Sequence, residues 1–244
     1  IILSFTFPIF LGNVFQQFYN MADAVIVGKF VGTGALAAVG STGTIMFLIY
    51  GFVVGMTAGF TVLTAQKFGA GDMRAMRKTV SGACILSLII GVILTAAFML
   101  LMKPWLELMN TPDDIFGDAY SYIMIISAGI LAQMLYNLLA SILRALGNSR
   151  VPLYFLILSA LLNIVLDLVL IIFFHMGTAG AAVATVISQG VSGLLCMAYI
   201  VKEVPILRMC REDWHLSGSL LGIQLRIGIP MALQYSITAI GTMM

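Results

Sequence analysis

The chain has 244 residues, of which 61% are hydrophobic and 9% charged, with a mean hydropathy of +1.09 and a formal net charge of +2. Ordinary soluble domains carry about 25% charged residues, so this composition excludes a water-soluble enzyme and assigns most of the surface to lipid. There is no basic cluster for nucleic acid, and Cys84, Cys196 and Cys210 form neither a CxxC pair nor an even-numbered disulfide framework.

A membrane span needs about 20 predominantly apolar residues, and the gaps between charges supply them. Residues 1 to 22 carry no charge and form the first span. The next gap, from Phe30 to Gln66, leaves room for a glycine-rich loop and a span near 36 to 62. Further gaps at 79 to 102 and 119 to 143 give spans three and four. The stretch Val151 to Val201 holds a single charge, Asp167, and breaks at Gly177-Thr178-Ala179-Gly180. Span five therefore ends near Phe174 and span six begins near Ala181. A seventh span starts around Ile227 and is still running at Met244. With Ile1 at the front and no basic n-region, the sequence reads as trimmed at both ends.

Lysines and arginines give the orientation. The connections after spans two, four and six hold Lys67, Arg74, Arg77, Lys78, Arg144, Arg150, Lys202, Arg208, Arg211 and Arg226. The other connections hold only Lys29 and Lys103, so the positive-inside rule puts the N-terminus in the cytoplasm. Shifting by 222 residues lays Gly228-Ile229-Pro230-Met231-Ala232-Leu233 over Thr6-Phe7-Pro8-Ile9-Phe10-Leu11. Six spans separate these copies, which fits parallel six-span halves; the alternative is coincidence, since proline is common in membrane helices.

The informative residues are those that hydrocarbon penalises. A mid-span aspartate costs about 2.5–3.5 kcal/mol on insertion scales, so one that is kept faces a cavity or a partner. Asp23 ends a polar stripe made by Asn13, Gln16 and Asn20, with Tyr19 one turn earlier, and it lies nearer the outer interface. Asp167 lies well inside span five, and Asn163, four residues earlier, points the same way. Span six offers Thr185, Ser188 and Gln189. Taken singly, Asn13, Gln16, Thr185 and Ser188 read as interhelical hydrogen-bonding groups worth about 0.6 kcal/mol each. Together, two carboxylates with an amide and a hydroxyl offer oxygen ligands to a hard cation such as Na⁺, or a shared place for a proton.

The strings YNMADAVIVGKFVG, ALAAVG, QKFGAGD, ILRALGNS, LNIVLDLVL and GAAVATVIS, in this order and spacing, resemble the N-terminal half of a bacterial multidrug and toxic compound extrusion (MATE) transporter. The resemblance runs from the first span to the seventh. It implies an all-α integral membrane protein, a six-helix lobe plus the start of a seventh helix, half of a twelve-helix two-lobe exporter. Residues 1–204 would be the N-lobe, 205–226 a cytoplasmic linker and 227–244 the start of the C-lobe of the same polypeptide. The implied activity is alternating-access antiport of amphipathic cationic drugs or toxins against Na⁺ or H⁺ across the bacterial inner membrane, with no enzyme chemistry and no cofactor beyond the coupling ion.

Carried over by position, the family's cation site falls on Asp23, Asn163, Asp167 and Thr185, which would also be the metal ligands if Na⁺ is the ion. Tyr19 and Tyr122 match tyrosines of the same network, and Pro8 matches a proline where the first helix can bend, since proline removes a backbone donor. The sequence departs from some relatives at Leu138-Leu139-Ala140, where they carry an additional polar residue.

Two rival readings compete for these residues. An intramembrane aspartyl protease is hinted at by the GxGD string Gly69-Ala70-Gly71-Asp72, but Asp72 lies in a cytoplasmic loop and reads as a helix cap. A lipid or lipid-linked oligosaccharide flippase of related architecture would need arginines for its pyrophosphate. Only Arg144 ends a polar stripe, Gln133-Asn137-Ser141-Arg144, and its position at the cytoplasmic boundary fits a surface anchor. No Walker loop points to an ATP-driven pump.

Overall fold

A computed structural model of the chain describes residues 2–215 and 217–241, and these form helices joined by short turns, with no strand among the described residues. Within hydrocarbon a helix satisfies all of its own backbone donors and acceptors, which no open sheet can do. Helix α1 (Ile2–Phe30) passes through Pro8 and ends at a turn where Gly32 has φ +125°, a conformation that favours glycine. Helices α2 (Thr33–Ser41) and α3 (Gly43–Gly69) follow. The second span, expected near 36 to 62, is thus divided at Thr42 and reaches Gly69. Its continuation past the apolar run is possible because Lys67 lies in the last turn and can extend its amine to the interface.

Helix α4 (Met73–Leu108) begins after Gly71, at φ +75°, and Asp72, whose Oδ1 accepts the Ala75 N–H at 2.9 Å. Asp72 is therefore the cap its sequence context implies. Ile89, Ile93 and Leu100 of α4 are exposed, as a lipid-facing row requires. The expected fourth span is two helices, α5 (Asp113–Ala128) and α6 (Ile130–Ala145), bent by 47° at Gly129. Asp113 and Asp114 occupy the first turn of α5, where acids offset the helix dipole.

Helix α7 (Arg150–Leu168) runs into a π-helical turn at Val169–Phe173. Helix α8 (Gly177–Glu203) starts at a left-handed glycine with φ +57°. A Cβ at position 129 would collide with the Val186 side chain of α8, so the α5–α6 bend depends on a residue without a side chain. Among the described residues, four helices are long and apolar enough to cross a membrane (α3, α4, α7 with its π turn, and α8), or five if the bent pair counts as one. Helix α1 is not among them: its 29 residues, about 1.5 Å each along the axis, are long enough, but the polar stripe dilutes its hydropathy.

The last helix, α9 (Gly218–Gly241), begins nine residues before the boundary at Ile227 that the charges imply. Arg226 set that boundary, yet Gln224 just before it is fully buried, its Nε2 donating to Phe60 O at 3.2 Å and Thr79 O at 2.8 Å. This amide ties α9 to both α3 and α4. Above it, Gly51, Gly55 and Gly59 of α3 meet Ser236, Ala232 and Gly228 of α9, and a Cβ on Gly55 would stand 2.6 Å from Ala232 Cα. Small residues at a spacing of four let two membrane backbones approach this closely.

The segment before α9 is also docked. Among short helical turns at Pro205–Leu207 and Arg211–Trp214, buried Asp213 accepts from Arg77 Nε at 3.2 Å and from the Cys210 N–H at 2.9 Å. Apolar packing joins α3, α4 and α6 through Ile49, Met56, Phe60, Met76, Val80 and Met134. A second cluster joins the end of α1 to α2, α5 and α8 through Val27, Ala35, Ile126 and Ala181.

Candidate functional site

Helix α7 lies between α1 and α8 and touches both. Because Asn163 and Asp167 are four residues apart, they share the face of α7 that is turned inward, and both are fully buried. Thr185 of α8 comes up against them. Its Oγ1 accepts from Tyr19 OH at 3.2 Å and from Asn163 Nδ2 at 3.3 Å, and donates to Ala181 O at 3.0 Å. One hydroxyl thus joins α1, α7 and α8, with its donor and both acceptor positions in use. Asp23 of α1 brings its carboxyl beside that of Asp167, and Tyr122 of α5, 4% exposed, closes the cluster near both.

The structure therefore brings together Asp23, Asn163, Asp167, Thr185, Tyr19 and Tyr122, residues that the sequence places on four spans. Asp23 Oδ1, Asn163 Oδ1 and both carboxylate oxygens of Asp167 are buried with no hydrogen-bond partner among the described residues. Buried acceptors left unmade cost about 1–3 kcal/mol each, and charged ones more. Hard oxygens of this kind fit a hard cation, and two neighbouring carboxyls equally fit one shared proton. Among the described residues no group of three or more His, Cys, Asp or Glu is gathered.

Beside the cluster lies a cavity of about 700 Å³, walled by α1, α3, α5, α6, α7 and α8 and touched by Tyr235 of α9. Tyr19, Asp23, Tyr122 and Thr185 line one end of it, while Asn163 and Asp167 stand behind that wall. Met46, Val54, Ile126 and Leu156 give it apolar wall. Gln133, Asn137 and Arg144 of α6 and Ser149 before α7 line it as well. Pro8 is buried and lines the same cavity, fifteen residues from Asp23 along α1.

Three features of the site took their place only in the structure. Arg144, read from the sequence as an anchor at the cytoplasmic boundary, stands in the last turn of α6 and lines the cavity with Gln133 and Asn137 of the same polar row. The periodicity was visible, but what the row faces depends on how the helices pack. The π turn after Asp167 also carries no mark in an unbroken apolar run, although such turns recur at functional positions. Gln189, one turn beyond Thr185, lines the cavity with its Oε1 unpartnered.

With this geometry in view, the MatE family model matches residues 8–169. The chain is 34% identical over 242 residues to the probable multidrug resistance protein YpnP of Bacillus subtilis, covering 98% of this chain and 53% of that protein. It is 28% identical to the probable multidrug resistance protein NorM of Thermotoga maritima, covering 95% of this chain and 50% of that one. An outward-facing structure of a multidrug-resistance MATE-family transporter of the MOP superfamily superimposes with a TM-score of 0.91 at 28% identity, covering 99% of this chain and 54% of that one. An inward-facing structure of such a transporter gives 0.84 at 29% identity, covering 92% and 52%. The chain spans about half the length of the curated relatives it matches.

Proposed function

The chain belongs to the MatE family, and from that premise we propose that it supplies one lobe of a drug exporter that couples outward movement of amphipathic cations to inward movement of Na⁺ or H⁺. Residues 1–204 form this lobe, the segment 205–226 leads away from it, and 227–244 opens the second, with helical structure starting at Gly218 inside the connecting segment. The N-terminus faces the cytoplasm of a bacterial inner membrane, as the ten basic residues of the alternate connections favour.

The observation that carries this reading is the set of unpartnered buried oxygens on Asp23, Asn163 and Asp167 at the wall of an open cavity. A cation or proton between the two carboxyls relieves their mutual repulsion, so occupation favours the arrangement in which α1 and α7 lie close. Asp23 faces both this site and the cavity, so a cationic substrate and the coupling ion compete for the same charge. That competition is what an antiporter needs, because each species then displaces the other. Thr185, whose hydroxyl is already saturated, holds Tyr19 and Asn163 in position rather than serving as a primary ligand. Pro8 supplies a point where α1 lacks one backbone hydrogen bond and bends at low cost.

The test is the full-length polypeptide in liposomes, with a cationic dye followed under a Na⁺ gradient and a pH gradient imposed separately. Dye movement that follows one gradient supports the proposal and names the ion. Absence of movement under both refutes export of that dye and moves weight to a lipid or oligosaccharide flippase. Arg144 in the cavity is the one observation that favours the flippase, yet a lone arginine is a sparse cradle for a pyrophosphate.

A further inference from the structure

We propose that helices α3 and α9 form the cytoplasmic gate of the exporter, and that Gln224 is the side chain that holds this gate shut. The proposal rests on the reading of the chain as one lobe of an exporter and on the orientation given above.

Under the overlay of 222 residues, α9 is to the second lobe what α1 is to the first. Helix α1 packs on α7 and α8 of its own lobe. The equivalent partners of α9 therefore belong to the second lobe, and its contact with α3 joins one lobe to the other. That contact keeps an antiparallel register: Gly51 meets Ser236, Gly55 meets Ala232 and Gly59 meets Gly228. At all three crossings both residues are small, and the backbones touch directly rather than through interleaved long side chains. The cavity touches α3 from Gly43 to Val54. Beyond Val54 the seam continues to Phe60, toward the end of α3 that carries Lys67. A molecule that enters the cavity between the lobes from the cytoplasm must part this stretch.

Side chains of α9 fasten the seam at both ends to backbone carbonyls. Ser236 Oγ donates to Leu48 O at 3.3 Å. Gln224, fully buried, donates from Nε2 to Phe60 O of α3 and Thr79 O of α4. Both carbonyls lie inside helices, where the backbone ladder already uses one lone pair, so the amide takes the second. Release of Gln224 therefore strands no group on α3 or α4. The amide oxygen is different: Oε1 is buried without a hydrogen-bond partner among the described residues and rests against Gly82, where a Cβ would overlap it. Gln224 is two residues from exposed Arg226, so water reaches its amide once α9 moves away. The closed seam thus keeps dry an acceptor that the open seam wets, which brings the two states close in energy. A gate needs that balance, and a permanent core contact does not.

The experiment puts spin labels on Gly69→Cys and Gly222→Cys of the full-length polypeptide in lipid nanodiscs, with the native cysteines replaced by serine. Both glycines are exposed, and a Cβ at either meets nothing within 4 Å. Pulsed electron paramagnetic resonance then reads the distance from the end of α3 to the start of α9. Two populations are expected, a short distance with the seam closed and a longer one with it open. Gln224→Met keeps the length of the side chain and removes both donors, so it should raise the long-to-short ratio about tenfold. Gly82→Ala should do the same from α4 by displacing the amide, and Ser236→Ala should raise the ratio less. If Gln224→Met fails to fold, the other two variants decide. Broadened peaks with no transfer of population between them would mean that the amide is only structural and would overturn the proposal. A single distance, the same in wild type and variants while dye still moves under a gradient, would also overturn it and leave export standing. Exchange between two distances that depends on Gln224, in a protein that moves no dye, would support the gate and count against export of the dye tested.

Discussion

Asp167→Asn is expected to make the protein more stable and stop it working. In the structure Asp167 is fully buried, and neither of its carboxylate oxygens has a partner among the described residues. Asp23 beside it also presents an unpartnered buried oxygen. Asparagine keeps the shape of the side chain, removes one of two like charges, and brings an N–H group that can donate to Asp23. A hydrogen bond to a charged acceptor contributes about 1.5–3 kcal/mol, so without the coupling ion the variant should gain about 1–3 kcal/mol. At this chain length each kcal/mol moves the melting temperature by about 2–4 °C.

Binding works in the opposite direction. A cation at a hundredfold excess over its Kd stabilises the folded wild type by about 2.7 kcal/mol, whereas the variant has lost the group that binds it. Thermal unfolding in detergent can be read with a thiol-reactive fluorophore, since Cys196 is buried, Cys84 half-buried and Cys210 exposed. In sodium-free buffer at alkaline pH, Asp167→Asn should melt a few degrees above the wild type. Added Na⁺, or added protons if those are the coupling ion, should raise the wild type alone. In liposomes the variant should not move dye under either gradient. A variant that melts below the wild type in ion-free buffer and still drives dye movement would refute the assignment of the coupling site to this pair.

Three further outcomes follow from other contacts. Thr185→Val removes the acceptor shared by Tyr19 and Asn163 at near-constant volume; two stranded donors should cost about 1–3 kcal/mol each, and gradient titrations should show a weaker apparent affinity for the coupling ion. Gly55→Leu forces α3 from α9, because even a Cβ there stands 2.6 Å from Ala232 Cα; overpacking of about 1–3 kcal/mol should lower the melting temperature, while Gly40→Ala, with nothing within 4 Å, should not. Asp213→Ala removes the partner of Arg77 and the acceptor of the Cys210 N–H. Loss of hydrogen bonds to a charged group, about 1.5–3 kcal/mol, should release the Arg211–Trp214 turn, and limited trypsin digestion should cut faster after Arg208 and Arg211.

What could be read from the sequence divides along a physical line. A charge in hydrocarbon is costly wherever the helices go, so Asp23 and Asp167 stood out before any packing was known. The spacing of Asn163 and Asp167 on one helix needed no tertiary information either. Features that depend on how two helices meet were out of reach. Gly51, Gly55 and Gly59 form a small-residue row that any reader could notice, but nothing in the row says that α9 is what it meets. The docking of Asp213 on Arg77 joins residues 136 positions apart through an ordinary acid and an ordinary base.

The same line explains why charge gaps misplaced the ends of the helices. A gap ends at the first charged residue, but a helix ends where its backbone loses partners, and between the two a long side chain can reach water from a helix that continues. Lys67 in the last turn of α3 and Arg226 inside α9 are both of this kind. Arg144, in the last turn of α6, differs from them in lining the cavity. A bulky residue at position 129 should disturb the ion site together with the cavity wall, because it meets Val186, the neighbour of Thr185, whose hydroxyl joins Tyr19 to Asn163.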